Sequence, residues 1–160
     1  MKYFLADTAK HKERVHQLDF VGAFLQANVK NRVFVKLDMR YAAYFPAYTQ
    51  YFGRALKNLK SMYGMTNSGK LFADEVTEWL IKEGFVQSQC QMSIYYKYAP
   101  DGFKIVVLSY VDYCVFWYTN EYLGKWFVDT LGKRFHVNFL GYAHWFMSSS
   151  HGISFHVWYD

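Results

Sequence analysis

The chain has 160 residues, 52% of them hydrophobic and 19% charged, with 15 Tyr, 15 Phe and 5 Trp. That length suits one domain or a piece of one, and so much apolar surface excludes a disordered chain. The net charge of +5 is uneven, with 11 Lys and Arg against 4 acids in the first 60 residues and 7 against 9 in the rest. A protein holding a polyanion near a carboxylate site would show this division, and so would one with a solvated basic face.

Residues 3 to 13 place Phe4, Leu5, Thr8 and Ala9 on one stripe and predict a helix. Val15, Gln17 and Asp19 then alternate with His16 and Leu18 as a strand, followed by a short helical turn at Ala23, Phe24 and Leu25. Asn31 to Leu37 alternates as a second strand after the polar turn at 28 to 31. The Tyr-rich stretch from Tyr41 to Phe52, which contains Pro46, has no clean period and reads as an irregular loop. A helix is expected from Lys70 to Glu83, capped by Asn67 or Ser68 and stopped by Gly84, with Leu71, Phe72, Val76, Trp79 and Leu80 as its apolar stripe.

SIYYKY and FKIVVLSY are strands joined by the turn APDG at 99 to 102. The chain turns again at Val111 and Asp112, and CVFWY (114 to 118) resumes an extended run, so Asp112 tops a hydrophobic hairpin. A second long helix fits Glu121 to Arg134, capped by Thr119 or Asn120, and FHVNF and ISFHVW read as further strands. This order predicts an α+β fold, an antiparallel sheet with helices packed on one face.

Asp19 at a strand end and Asp112 at a hairpin tip are carboxylates in apolar company, which is costly unless they are paired or bind a cation. Brought together they suit Mg²⁺, and apart they are two solvated turn aspartates. Gly64 to Lys70 spells G-x-x-x-x-G-K, but Leu71 follows where a P-loop needs Ser or Thr for its metal, so a P-loop is not expected. The six His form no ligand spacing. Tyr95, Tyr96, Trp117 and Tyr118 could stack bases or fill the core. Cys90 and Cys114 have neither CxxC nor Cys/His spacing, which argues against zinc or a disulfide framework and for a reducing, intracellular setting. No apolar run predicts a membrane span or signal peptide.

LDFVGAFL (18 to 25), KSMYGMTNSGKLF (60 to 72), YVDY (110 to 113) and NFLGY (138 to 142) follow one another as the palm motifs of copia-type LTR retrotransposon reverse transcriptases do. The chain resembles that family up to about Met147. The resemblance implies a reverse transcriptase palm with partial fingers: a single partial domain with 1 to 14 and 28 to 60 on the fingers side, 15 to 27 and 61 to 147 as palm, and 148 to 160 a divergent tail. It implies RNA-directed DNA polymerase activity through two Mg²⁺ ions, with Asp19 and Asp112 as catalytic metal ligands and the Phe20 backbone carbonyl as an extra oxygen. By the same likeness Phe24 lies beneath the incoming sugar, although Phe24 could equally be a core residue. Asn67 stands where the family has a nucleotide-contacting Gln, and Lys70 keeps the nucleic-acid-binding segment basic in place of Arg. Implied partners are an RNA template, a DNA primer, deoxynucleoside triphosphates and the missing fingers, thumb and RNase H regions of a polyprotein, with cytoplasmic or nuclear localisation. Tyr113 departs from the pattern: the family has a third catalytic aspartate there, and a phenol cannot replace it. The alternative expectation is a non-catalytic nucleic-acid-binding remnant.

Overall fold

The computed structural model describes residues 14–143, 145–148 and 153–156, so the helix expected at 3 to 13 lies outside the described residues. In chain order the elements are β1 (His16–Phe20), α1 (Ala23–Gln26), β2 (Phe34–Lys36), two 3-10 turns (Met39–Tyr44 and Pro46–Tyr51), β3 (Ala55–Lys57), α2 (Ser68–Lys82), β4 (Val86–Gln87), β5 (Ile94–Tyr98), β6 (Lys104–Tyr110), β7 (Tyr113–Tyr118), α3 (Glu121–Arg134), β8 (Val137–Tyr142), β9 (Trp145–Ser148) and β10 (Ile153–His156). They fall into two compact units, one of the described residues up to Ala23 and from Val76 onward, the other Phe24–Glu75.

In the first unit, six strands form one sheet in the order β4-β5-β6-β7-β1-β8, and every neighbouring pair is antiparallel. β9 and β10 pair separately. Strand alternation sorts the apolar residues onto two faces. On one, Phe116 meets Phe127 of α3 with ring centroids 4.9 Å apart, and Phe20 meets Phe135 edge-on at 5.5 Å. Trp79 of α2 packs on Phe135 at 5.8 Å, and the Thr77 and Tyr95 hydroxyls lie 2.6 Å apart. Both long helices therefore cover this face. On the other, Val15, Ile94, Val106, Leu108, Val115, Trp117 and Ala143 form a buried cluster with Tyr96 against it.

The helices end for local reasons. At the close of α2, Gly84 adopts φ +86, its N–H donates to Ile81 at 3.0 Å, and the Phe85 N–H donates to Leu80 at 3.0 Å. This left-handed closure needs Gly, and buried Leu80 and Phe85 seal it. Asn120 begins α3 by accepting the Tyr122 N–H at 2.8 Å, while Glu121 in the first turn and Lys133 and Arg134 in the last oppose the helix dipole. Of the two caps expected here, Asn120 is the one used.

The second unit carries the β2–β3 hairpin, Phe34 opposite Lys57 and Lys36 opposite Ala55. The strand expected over 31 to 37 shortens to three residues, and its partner Ala55–Lys57 is a strand that sequence pattern does not announce. Three residues of modest β propensity are recruited by pairing rather than by their own preference. The expected irregular loop at 41 to 52 is replaced by two 3-10 turns. Asp38 caps the first by accepting the Arg40 N–H at 2.9 Å, and Pro46 opens the second with a fixed φ. The base-stacking role considered for Tyr95 and Trp117 is also corrected: they are 3% and 0% exposed and belong to the core.

Candidate functional site

The hairpin between β6 and β7 places the two acids. Tyr110 pairs with Tyr113, leaving Val111 and Asp112 as a two-residue turn. Such turns need a positive φ, and Val111 supplies it at φ 53, the one non-glycine residue with positive φ among those described. A β-branched residue in that region is strained, by about 1–3 kcal/mol, and strain of this kind collects at functional sites. The turn is tied to β1, because the Phe20 N–H donates to the Asp112 carbonyl at 2.8 Å.

Asp19 lies beside this turn. Its direct cross-strand neighbour on β7 is Tyr113, and on β8 it is Asn138. Directly paired residues share a face, so Tyr110, Tyr113, Asp19 and Asn138 form a row on the sheet face away from the two long helices. Farther along that face lies Gln17, opposite Val115, where the buried cluster begins. The sheet is thus apolar at one end of this face and polar at the other, with Asp19 the one acid in the row. Asp19 is half-buried, and Asp112 and Tyr113 are exposed.

Burial, and after it the charge of Asp112, pushes the Asp19 carboxyl above the ordinary carboxylate range. Two carboxylates that repel in this way would be relieved by a hard cation, so the donor set fits a divalent metal. The set is short, however. Among the described residues no three His, Cys, Asp or Glu side chains are grouped to hold a metal ion. The position that could complete such a group is Tyr113, facing Asp19 across the strand pair.

Phe20, expected to lend its carbonyl, has its ring in the core at 2% exposure. The remaining candidates lie in the second unit. Phe24 is half-buried with its ring 5.0 Å from Tyr63, and its edge is 4.0 Å from where a Cβ on Gly69 would stand. Asn67 is exposed and uses its carbonyl to accept the first helical bond, from the Leu71 N–H at 2.9 Å. Ser68, the other expected cap, donates its hydroxyl to the Met62 carbonyl at 2.6 Å. Lys70 is exposed in the first turn of α2. In the sequence Asn138 stands only as part of NFLGY, and Val111 only as a turn residue with no sign of its left-handed backbone. Pairing register reveals the first and backbone torsion the second, and neither is written in residue type.

Two acids at one end of an antiparallel sheet backed by helices define the class of protein as a mixed helix-and-sheet domain with a carboxylate pair at the sheet's edge. The family model for reverse transcriptase (RNA-dependent DNA polymerase) matches residues 1–157. The chain belongs to the reverse transcriptase family. No curated protein and no solved structure gave a match. No helix among the described residues is long and apolar enough to cross a membrane.

Proposed function

We propose that this chain is the palm, with part of the fingers, of a copia-type LTR retrotransposon reverse transcriptase, and that its nucleotidyl-transfer site rests on Asp19 and Asp112 and is impaired by Tyr113. The observation that carries this reading is the register that sets Tyr113 directly against Asp19. Asp19 and Asp112 would hold Mg²⁺, with the Phe20 carbonyl as a further oxygen. When bound, the metal would neutralise the triphosphate and favour in-line attack by the primer 3′ hydroxyl. Phe24 and Asn67 would contact the incoming nucleotide and Lys70 the nucleic acid. The fingers side comprises 1 to 14 and 28 to 60, the palm 15 to 27 and 61 to 147, and the setting is intracellular. Tyr113 brings no negative charge to the site, so its metal occupancy is weak.

The test is primer extension on an RNA template with Mg²⁺, alongside calorimetric Mg²⁺ titration. A unit charge about 4 Å from another is worth about 4 kcal/mol at the effective dielectric of a protein surface. Tyr113→Asp is therefore expected to tighten Mg²⁺ by at least about tenfold and to raise extension. Asp19→Asn should abolish both. Extension that survives Asp19→Asn would overturn the assignment.

The charge division supports a second reading, in which the chain binds nucleic acid without chemistry. Under that reading RNA binding weakens steeply with salt and is indifferent to Mg²⁺ and to Tyr113→Asp.

A further inference from the structure

The 3-10 turns of the second unit bring together features that the polymerase site does not use. Met39, Tyr41, Tyr44, Phe45, Tyr48 and Tyr51 are 42–75% exposed, and none of the residues in either turn is buried. Isolated exposed rings need no explanation, but a contiguous group marks a surface that something covers. The spacing is regular. Tyr41 and Tyr44 are three apart in the first turn, as are Tyr48 and Tyr51 in the second, and a 3-10 helix repeats every three residues, so each pair stands on one side of its turn. Tyr41 and Tyr44 stand with ring centroids 6.5 Å apart.

The segment is held, not loose. The Gly53 N–H donates to the Leu37 carbonyl at 3.0 Å and closes the loop where it leaves the β2–β3 hairpin. The Asp38 carboxylate accepts from the Arg40 Nε at 2.9 Å, and the Thr49 hydroxyl donates to the Pro46 carbonyl at 2.8 Å. Between the rings of Tyr41, Phe45, Tyr48 and Phe52, with Leu37 and Asp38, lies a cavity of about 330 Å³. Its single carboxylate is neutralised by Arg40. The segment that contains it, residues 28 to 60, carries seven Lys and Arg against one acid.

The occupant must offer flat faces to the rings and negative charge to the cations. A duplex offers the charge but hides its base faces, whereas a single strand offers both. We infer that the Tyr-rich turns at 39 to 51 are a stacking platform for the unpaired bases of single-stranded nucleic acid, with the exposed Lys36 and Arg54 tracking its phosphates. The inference rests on the reading of the chain as a nucleic-acid-handling protein but not on its metal site, and it places a binding surface where the family motifs of this chain mark none.

The experiment is fluorescence anisotropy of the chain with labelled oligo-rU and oligo-dT of about 12 nucleotides, within the usual site sizes of about 4–16. A duplex of equal length is run in parallel, all in chelator so that metal binding plays no part. Single strands are expected to bind more tightly than duplex. Tyr44→Ala and Tyr48→Ala should each weaken single-strand binding by about 5- to 100-fold, whereas Tyr44→Phe and Tyr48→Phe, which keep the ring, change it less than about twofold. Duplex binding should ignore all four substitutions. The side chains are exposed, so the variants should fold, and circular dichroism checks that they do. Alanine variants that fold and bind single strands as well as the unmodified chain would overturn the proposal. So would alanine variants that weaken duplex and single strand alike, or that instead dissociate a dimer in sedimentation. Failure here leaves the Asp19 site standing, and loss of primer extension with binding retained leaves the platform standing.

Discussion

At the scale of single residues, His16 shows how a polar side chain can be built into an aromatic core. Its ring stacks on Tyr118 at 4.8 Å and Phe116 at 5.3 Å, with Phe139 at 5.9 Å and Tyr142 at 4.9 Å. The Nδ1 atom is buried with no hydrogen-bond partner among the described residues. Burial pushes the His16 pKa below its ordinary 6.5, Glu121 opposes that shift, and Arg14 adds to it. The fold therefore favours the neutral ring. On acidification the unfolded chain takes up the proton first, so stability should hold above about pH 6.5 and fall below it until the folded pKa is passed. We expect the urea midpoint to drop between about pH 7.5 and pH 5.5, and to drop less in His16→Phe, which keeps the stack without the charge. An equal drop in both would assign the acid sensitivity to other groups. His16 is also a residue that sequence spacing could not interpret, because its four ring partners come from strands distant in the chain. Asp19 and Asp112, by contrast, were legible as an odd pair of acids in apolar surroundings, and the family motifs made them candidates. Their direct opposition to Tyr113 and Asn138 required the register.

At the scale of elements, α3 contains two glycines whose contexts differ. A Cβ on Gly124 would lie 2.1 Å from Tyr118 Cε1 and 2.5 Å from two further ring atoms, so the helix carries Gly there to admit the ring that stacks on His16. A Cβ on Gly132 would meet nothing within 4 Å. Helix propensity alone would favour Ala at both positions by about 1 kcal/mol. We expect Gly132→Ala to stabilise the chain by roughly that amount in chemical denaturation. Gly124→Ala should destabilise by about 1–3 kcal/mol, because the ring must move within a packed core. Gain in both would show that Tyr118 moves aside freely. The long helices were legible because period and caps agree: a Gly stop for α2, and for α3 an Asn start matched by its terminal charges. The 3-10 turns were not, since a three-residue spacing of tyrosines has no apolar face turned inward to reveal it, and β3 was not, since pairing created it.

At the scale of the whole molecule, the first unit distributes its functions over the two faces of one sheet. One face packs under α2 and α3, and the other runs from the buried Trp117 cluster to the row of Tyr110, Tyr113, Asp19 and Asn138 at the hairpin end. Alternation within β1 and β7 is what allows this, because neighbouring residues on one strand serve opposite faces. The general architecture, an antiparallel sheet with helices on one side, followed from element order. The division of the described residues into two compact units did not, because no glycine-rich or proline-rich linker separates them. The chain instead leaves the first unit after Ala23 and re-enters it within α2.

Cys114 follows the altered position Tyr113 directly, on the strand that presents the hairpin. It is free and buried, and burial raises its thiol pKa, whereas Cys90 is free and exposed. A thiolate is the reactive form, so Cys114 should resist alkylation until its strand separates from Leu18 and Ser109, its neighbours on β1 and β6. The pair makes a built-in clock. In a pulse of iodoacetamide read by mass spectrometry, Cys90 should label at once, and Cys114 at least about a thousandfold more slowly if only global unfolding frees it. Labelling of Cys114 at a rate near that of Cys90 would mean that the strand bearing Asp112 and Tyr113 opens on its own while the rest of the sheet stays closed.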